Sequence, residues 1–321
     1  MDQPSGEFDL IARYFTRPAR GAVLGVGDDC ALLAPGAGMQ LAVAADMLVE
    51  GRHFFAGTDP QALGHKALAV SLSDLAAMGA QPWAFLLALA LPDADASWLA
   101  AFSAGMFALA DAHGIELVGG DTTRGPRNLC ITVLGQLPAG QALRRDAARA
   151  GDQLWVSGTP GDARLALGQL RGEWRIAGFD AALRARLERP TPRVALGLAL
   201  RGVAHAAIDV SDGLLGDLGH LLRASGVGAE VDVDAIPASA PLAAQPSARR
   251  RDCQLAGGDD YELLFTAPAD ARDAVLRAAD AAATPVACIG RIDAAPGLRL
   301  RDAAGAALHD TYASFDHFRR P

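Results

Sequence analysis

The sequence predicts a two-domain protein of the α/β (α+β) class, and three observations support this. A chain of 321 residues is longer than one hydrophobic core commonly serves. Hydrophobic residues make up 51% of it, as in ordinary globular proteins. Short apolar runs typical of strands also alternate, in both halves, with segments whose apolar residues recur at helical spacing.

The first half is predicted to contain strands and two helices. Asp59 is suited to cap the first helix, Pro60 to occupy its first position and Gly79 to end it. A second helix is predicted at about Ser97–His113. The predicted strands are Val23–Val26, Leu41–Ala45, Phe85–Leu91, Ile115–Val118 and Leu129–Leu137, the first two of them buried.

A polar, turn-rich and locally basic stretch at 138–152 marks the predicted domain boundary. We therefore expect an N-terminal domain over residues 1–140 and a C-terminal domain over 150–321. In the second domain a helix is expected to open near Gly161-Asp162, another to span Ser211–Ser225, and Ala238–Ser247 to form a loop. Its predicted strands are Gln153–Val156, Ala206–Val210, Tyr261–Thr266 and Val286–Ile292.

Composition excludes several classes of protein. A formal net charge of -8 argues against a nucleic-acid-binding protein, which would carry a basic face. The longest apolar run, Trp83–Leu91, is too short to cross a bilayer, and the N-terminus lacks the pattern of a signal peptide. The four cysteines form no C-x-x-C pair, so a cytoplasmic protein is expected.

Six aspartates stand out as candidate metal ligands. Asp74 lies on a predicted helix that is apolar nearly all round, so its carboxylate needs a cation, an arginine or a backbone N–H. Asp46 and Asp121 follow apolar runs, where sheets present ligand-binding groups or where turn aspartates bond their own backbone. The full set is Asp29, Asp46, Asp74, Asp121, Asp209 and Asp212.

The segment AIDVSDGLLGDLGHLL places two of these carboxylates beside a predicted helix start. Capping of that helix explains Ser211 or Asp212, but not both, and leaves Asp209 at the strand end unexplained. If the six carboxylates met without cations, each close pair would repel by roughly 4 kcal/mol at an effective dielectric constant near 20. Several Mg²⁺ ions holding a polyphosphate would remove that repulsion, which indicates nucleotide chemistry.

Common nucleotide motifs are missing. The chain has a single lysine, Lys66, which stands outside any G-x-x-x-x-G-K-[ST] sequence, so a standard P-loop is excluded. The protein-kinase motifs and the Rossmann fingerprint are absent as well. Asp232-Val233-Asp234 is similar to the nucleophile of aspartyl-phosphate phosphatases, but the residues that follow do not fit that pattern, and an exposed strand end is the competing interpretation.

Eight blocks of the sequence, in this order, resemble the thiamine-monophosphate kinase family, within the superfamily of aminoimidazole-ribonucleotide synthetase. They are GEFDLIARYF, GVGDDCALL, LVEGRHF, KALAVSLSDLAAMGAQP, GGDTTRGP, IDVSDGLLGDLGHLL, GGDDYELLFT and FDHF. The resemblance implies a two-domain PurM-like fold, with an N-terminal ATP- and Mg²⁺-binding domain that dimerises through a shared β-barrel. The C-terminal α/β domain would complete the active site.

The resemblance also implies an activity and a set of roles. The activity is ATP-dependent phosphorylation of thiamine monophosphate to thiamine diphosphate by direct in-line transfer, with ATP as co-substrate. The six aspartates would be Mg²⁺ ligands, Asp121 and Asp212 being the candidate catalytic residues. Gly120, Asp121, Arg145 and Ser211 would contact ATP, and His53, Asp259 and Phe315 the substrate. An aromatic face at Phe315 suits a cationic ring.

Two positions depart from the family pattern. Ala44-Ala45 stands where many relatives carry Ser-Thr, and Asp259 stands where a glutamate is common. Within the pair Asp28-Asp29, the match assigns Asp29 to the metal and leaves Asp28 structural, since neighbouring side chains of an extended segment point to opposite sides. The alternatives are a selenophosphate or aminoimidazole-ribonucleotide synthetase-like enzyme and a non-catalytic Mg²⁺-nucleotide-binding regulator.

Overall fold

The structure is a computed structural model that describes residues 7–26, 30–308 and 312, with only the backbone of residues 7 and 8. The chain divides into two compact units. Unit 1 comprises Met1–Leu75 and Ala80–Gly140, and unit 2 comprises Ala76–Gly79 and Gln141–Pro321. No helix of the described residues is both long and apolar enough to cross a membrane.

Unit 1 is built on a four-stranded sheet. Its helices are α1 (Glu7–Tyr14), α2 (Pro60–Ala77) and α3 (Ala96–His113). Its strands are β1 (Met39–Val49), β2 (Gln81–Leu91), β3 (Glu116–Arg124) and β4 (Asn128–Pro138), in the order β1-β4-β2-β3. β4 pairs antiparallel with both β1 and β2, and β2 pairs parallel with β3. This sheet does not close on itself in one described chain, so the shared dimeric barrel stays a prediction.

The two long helices of unit 1 follow the predictions. Asp59 accepts the N–H of Ala62 at 3.1 Å, as expected of the residue that caps α2. Leu68 and Leu72 on α2 are fully buried, which confirms that this helix is apolar nearly all round. The backbones of α2 and α3 cross closely, because a Cβ on Gly64 would overlap the Phe102 carbonyl and one on Gly105 the Gln61 carbonyl.

Two strand predictions in unit 1 need correction. Val23–Val26 is not a buried strand: its pairing is by isolated bridges, such as that from Leu24 to Leu32, and Val23 is 71% exposed. Leu41–Ala45 does lie in a strand, β1, but Leu41 and Val43 are exposed rather than buried. Exposed and less exposed side chains alternate along this edge strand, so Leu41 and Val43 lie on the face of β1 that the described residues leave open.

Two of the candidate aspartates lie inside strands rather than at their ends. Asp46 faces Ile131 across the β1–β4 ladder, and Asp121 pairs with Ala88 of β2. The apolar run before each aspartate ends there, but the strand itself continues for several residues, with side chains that alternate between its two faces. These carboxylates are therefore placed by strand register and not by a turn.

Unit 2 is built on a seven-stranded mixed sheet, in the order β11-β10-β7-β9-β5-β8-β6. Its strands are β5 (Gln153–Ser157), β6 (Ala206–Val210), β7 (Gly228–Asp232), β8 (Glu262–Ala267), β9 (Val286–Asp293), β10 (Gly297–Arg301) and β11 (Ala307–Leu308). Its helices are α4 (Asp162–Leu170), α5 (Ala181–Glu188), α6 (Val194–Leu200), α7 (Leu214–Ser225), α8 (Ala240–Ala243), α9 (Ser247–Ala256) and α10 (Arg272–Ala281).

Most of the predicted elements of this unit are confirmed. The four predicted strands correspond to β5, β6, β8 and β9, and a helix opens at Gly161-Asp162 as expected. The segment Ala238–Ser247 is not only loop, because α8 lies within it, with Ser239 capping its first turn. The Asp232-Val233-Asp234 segment forms a short 3₁₀ turn in which the Asp232 carboxylate accepts the Asp234 N–H at 3.1 Å, which fits the interpretation as a strand end.

The close crossing of α2 and α3 predicts a large cost for Gly64→Ala. The added methyl would meet backbone atoms of Phe102 that cannot rotate away, and overpacking of this kind costs about 1–3 kcal/mol. We expect a lower melting temperature in a thermal unfolding experiment.

The matched control is Gly219→Ala, also inside a helix. Its nearest neighbour would be the flexible tip of the Arg223 side chain at 3.2 Å, so alanine should be neutral or stabilising through its helix propensity. Equal losses in the two variants would contradict the close backbone crossing.

Candidate active site

In unit 1 the structure brings Asp46 of β1 against Asp74 of α2. Burial raises the pKa of Asp46, and interactions with the Ser71 hydroxyl and the Asp74 carboxyl offset only part of that rise. Asp46 Oδ2 is buried and accepts a hydrogen bond from none of the described residues. The Ser71 hydroxyl also lies 3.3 Å from the Ile131 carbonyl, within hydrogen-bond distance. Two neighbouring carboxylates, one of which has a buried oxygen without a described hydrogen-bond donor, fit a cation that prefers oxygen ligands, such as Mg²⁺.

Asp121 of β3 is exposed, and the backbone before it is unusual. Gly120 has φ +148°, and a Cβ there would overlap the Leu87 carbonyl of β2. Only glycine fits this position, because the two strands approach closely. Packing of the sheet therefore already requires Gly120, whether or not a nucleotide contacts it.

His53 follows β1 in a tight turn. Its Nδ1 accepts the backbone N–H of Val49 at 3.0 Å. The backbone N–H of His53 donates to the Val49 carbonyl. A ring nitrogen that accepts carries no proton, so in this arrangement the ring hydrogen lies on Nε2.

In unit 2 the loop between β6 and α7 is organised by a residue that sequence reasoning missed. Asp217 Oδ2 accepts the N–H groups of Ser211, Asp212 and Gly213 at 3.0, 3.1 and 3.2 Å. The prediction that Ser211 or Asp212 caps this helix is wrong, because α7 begins at Leu214 after Gly213 without a side-chain cap. A carboxylate in the first turn was the available signal.

Carboxylates crowd this loop. Burial raises the pKa of Asp217 to about 7, and the nearby Asp209 and Asp212 carboxylates contribute to that rise. Asp209 is buried on β6, whereas Asp212 is exposed. Three acidic groups whose charges oppose one another favour a nearby cation, although these three do not form a metal cluster by themselves.

The GGDDY loop, residues 257–261, lies directly against that segment. The Asp259 N–H donates to the Ser211 carbonyl at 2.9 Å, and the Tyr261 N–H donates to the Val210 carbonyl at 2.8 Å. The Tyr261 hydroxyl bonds Asp259 Oδ1 at 3.3 Å. Four predicted site residues therefore come together in unit 2: Asp209, Ser211, Asp212 and Asp259.

Two further buried acids, one in this loop and one at the start of β8, were not predicted as site residues. Asp260 and Glu262 are 1% and 0% exposed, and both bond segments far away in the chain. Burial raises the pKa of Asp260 well above its usual range. No local pattern signals such residues, because their partners are about a hundred and about seventy positions away.

The remaining predicted residues are placed less fully. Arg145 is exposed, and its carbonyl accepts the Ser225 hydroxyl at 2.7 Å. Asp29 and Phe315 lie outside the described residues. Across the ranges that the structure describes, no three Asp, Glu, His or Cys side chains form a ready-made metal cluster. What the two units present is therefore partial ligand sets, a carboxylate pair in unit 1 and an acidic loop in unit 2.

Comparison with known proteins shows which proteins this chain is similar to. Residues 27–137 match the family model of the AIR synthase related protein N-terminal domain, and residues 149–303 match that of the C-terminal domain. The curated thiamine-monophosphate kinase of Salmonella typhimurium is 46% identical over 324 residues, with 98% of this chain and 99% of the relative covered.

Solved structures agree with this result. The crystal structure of thiamine-monophosphate kinase from Stenotrophomonas maltophilia K279a is 51% identical, with a TM-score of 0.83 over 93% of this chain and 95% of that one. AaThiL complexed with AMPPCP and TMP is 30% identical, with a TM-score of 0.76 over 89% of each chain. The chain belongs to the thiamine-monophosphate kinase family.

Proposed function

We propose that the chain transfers the γ-phosphoryl group of ATP to thiamine monophosphate, giving thiamine diphosphate and ADP. The observation that carries this proposal is the pair of acidic sets, in which Asp46 keeps a buried oxygen without a described donor and Asp217 is surrounded by like charge. A relative that covers 89% of this chain was solved with AMPPCP and TMP, an ATP analogue and a phosphate acceptor.

The carboxylates are the proposed Mg²⁺ ligands. Asp46 and Asp74, with Asp29 and Asp121, would serve from unit 1, and Asp209 and Asp212 from unit 2. When bound, Mg²⁺ neutralises the phosphate oxygens and aligns them for in-line displacement. Loss of the Ser-Thr hydroxyls at Ala44-Ala45 leaves backbone carbonyls as the ligands available there.

Two kinds of phosphate-binding group common in other proteins, a lysine and the amides before a helix, are not available here. Lys66, the single lysine, is 3% exposed. The amides at the start of α7 are already bonded to Asp217. As the resemblance implies, Gly120, Asp121, Arg145 and Ser211 are the proposed nucleotide contacts, and His53, Asp259 and Phe315 the proposed substrate contacts.

No strong general base is required. The acceptor is a phosphate oxygen, which is ionised at neutral pH, and it attacks the γ-phosphorus while the bond to the bridging oxygen breaks. The protein residues hold the acceptor phosphate and the γ-phosphate of ATP in line and exclude a competing water. Asp121 and Asp212 act through the metals they hold rather than by accepting a proton.

Replacement of a metal carboxylate should therefore be severe. Asp212→Asn is expected to lower kcat by about 10²–10³, the range seen when one electrostatic contact to the transition state is removed. Formation of thiamine diphosphate from ATP, Mg²⁺ and thiamine monophosphate is the measurement. Asp270→Asn, an exposed aspartate elsewhere in unit 2, is the control and should behave as wild type.

The same assay separates the alternatives. Wild-type protein that turns over ATP only with another acceptor would indicate a different enzyme of the superfamily. Binding of ATP without turnover would indicate a regulator. Near wild-type kcat in Asp212→Asn at saturating Mg²⁺ would refute the metal-centred mechanism.

The Asp46 carboxylate predicts stability effects of opposite sign with and without metal. Burial raises the pKa of Asp46, so its ionised form destabilises the metal-free fold above its ordinary pKa. Asp46→Asn should then raise the melting temperature without Mg²⁺ and reduce the increase produced by adding Mg²⁺, because the stabilisation by a ligand grows with the logarithm of its affinity.

Asp95→Asn is the control in the same unit. The Asp95 carboxylate accepts the N–H groups of Ser97 and Trp98, and the Ser97 hydroxyl together with these amides lowers its pKa. This variant should leave the Mg²⁺-induced increase unchanged. An Asp46→Asn protein with the full increase would show that no ion binds at Asp46.

A homodimer formed through β1 is part of the proposal. β1 is an eleven-residue edge strand, and long apolar edges favour pairing with another chain. Leu41, Val43 and Met47 share one face of it and are 46%, 62% and 54% exposed. Among the described residues, seven of the eight exposed large hydrophobic side chains belong to unit 1.

Val43→Glu should dissociate this dimer. Burying a carboxylate in an apolar interface is costly, so sedimentation equilibrium should show the dimer mass for wild type and the monomer mass for the variant. Leu276→Glu, which changes an exposed leucine of α10, should stay dimeric. A monomeric wild type would refute the interface.

A further inference from the structure

The GGDDY loop adopts a backbone conformation that its residues do not favour. Asp259 has φ +68° and Tyr261 has φ +53°, so two side-chain-bearing residues in the left-handed region flank Asp260. Such conformations cost free energy and persist only where surrounding contacts enforce them. Something must therefore hold this loop in place.

Asp260 fixes one side of the GGDDY loop through hydrogen bonds. Its carboxyl is 1% exposed, and it accepts the Gly161 N–H on Oδ2 at 2.6 Å and the Ala163 N–H on Oδ1 at 3.3 Å. Both donors lie at the N-terminus of α4, where amides lack partners within the helix. Gly161 also lies close to α9, since a Cβ added there would come within 2.8 Å of the Cys253 and Gln254 backbone.

The other side of the loop carries the candidate site. The amides of Asp259 and Tyr261, the two residues that flank Asp260, bond the carbonyls of Ser211 and Val210. Gly258 lies so close to the Ser211 carbonyl that a side chain would not fit. The loop is thus fastened between α4 and the segment that carries Asp209, Ser211 and Asp212.

We infer that Asp260 is a positioning residue, which uses the N-terminus of α4 to fix the Asp259 carboxyl and the acidic segment 209–212 relative to each other. The inference rests on the proposed function only for what those groups bind. Asp260 is buried among protein groups, so it acts through its neighbours and touches no substrate.

Asp260→Asn isolates this role. An aspartic acid keeps two oxygens that accept hydrogen bonds whether or not it is protonated, whereas asparagine keeps one. One α4 amide then loses its acceptor and faces an NH₂ group, although side-chain volume is conserved. The loop should shift or open while the rest of unit 2 stays folded.

The experiment compares Asp260→Asn with Asp162→Asn. Asp162 is 2% exposed and accepts the hydroxyls of Thr159 and Ser239 at 2.6 and 2.5 Å, without a hydrogen bond to the loop. Hydrogen exchange resolved to single amides follows Asp259 and Tyr261, and steady-state kinetics gives KM for thiamine monophosphate separately from kcat. Losing an outer partner of a metal or ligand group typically costs 10–100-fold.

The expected result for Asp260→Asn is at least about tenfold faster exchange at these two amides and about a tenfold higher KM, with Asp162→Asn near wild type in both. Wild-type exchange in Asp260→Asn, or equal changes in both variants, would overturn the positioning role. If the wild type itself fails to phosphorylate thiamine monophosphate, the proposed function fails, while the exchange measurement still decides the role of Asp260.

Asp260→Glu covers the case in which the asparagine variant does not fold. It retains both oxygens but displaces them by one methylene, so folded protein with partly accelerated exchange at Asp259 and Tyr261 supports the inference. Wild-type exchange and wild-type KM in the glutamate variant would refute it.

Discussion

The buried carboxylate of Glu262 is the interaction on which the organisation of unit 2 depends. It accepts two bonds from Arg193, at 2.6 Å each, one from Arg186 at 2.7 Å and one from Ser157 at 2.5 Å. Burial alone would raise the pKa of Glu262, but the arginines and the Ser157 hydroxyl hold it below its usual value. Removing one partner of such a buried pair typically costs about 3–5 kcal/mol, because the remaining charge is left uncompensated.

That charge cluster also explains why the chain tolerates other buried acids nearby. Arg186 acts on Glu262, Asp260 and Asp162 together, so one cation partly offsets three carboxyls that come from two segments of the chain. These buried carboxyls of unit 2 have cations or hydrogen-bond donors within the protein. Asp46 differs from them, because it keeps a buried oxygen that accepts no hydrogen bond from the described residues. The presence of such donors, rather than burial itself, separates a carboxylate that builds the fold from one available to a ligand.

Sequence reasoning was most successful where the determining contacts are local. Helices α2 and α3, the cap at Asp59 and the strands of the C-terminal sheet follow from periodicity and capping chemistry. Exposure of β1 could not be predicted, because it depends on the strand's place at an edge of the sheet. The roles of Asp217 and Asp260 could not be predicted in full either. Asp217 bonds amides that precede it in the chain, and Asp260 bonds an amide of a distant helix, and no rule of sequence spacing predicts either contact.

The bonding of Asp217 gives the loop before α7 an unusual chemical character. The start of a helix ordinarily attracts phosphate through its exposed amides. Here a side chain of the same helix already occupies three of the amides just before it, so these amides are not available to a phosphate group. Under the proposed function, a nucleotide without cations would meet the acidic groups of this loop instead. Its magnesium complex would then be the form that binds, and occupancy of the site would depend on the supply of divalent metal.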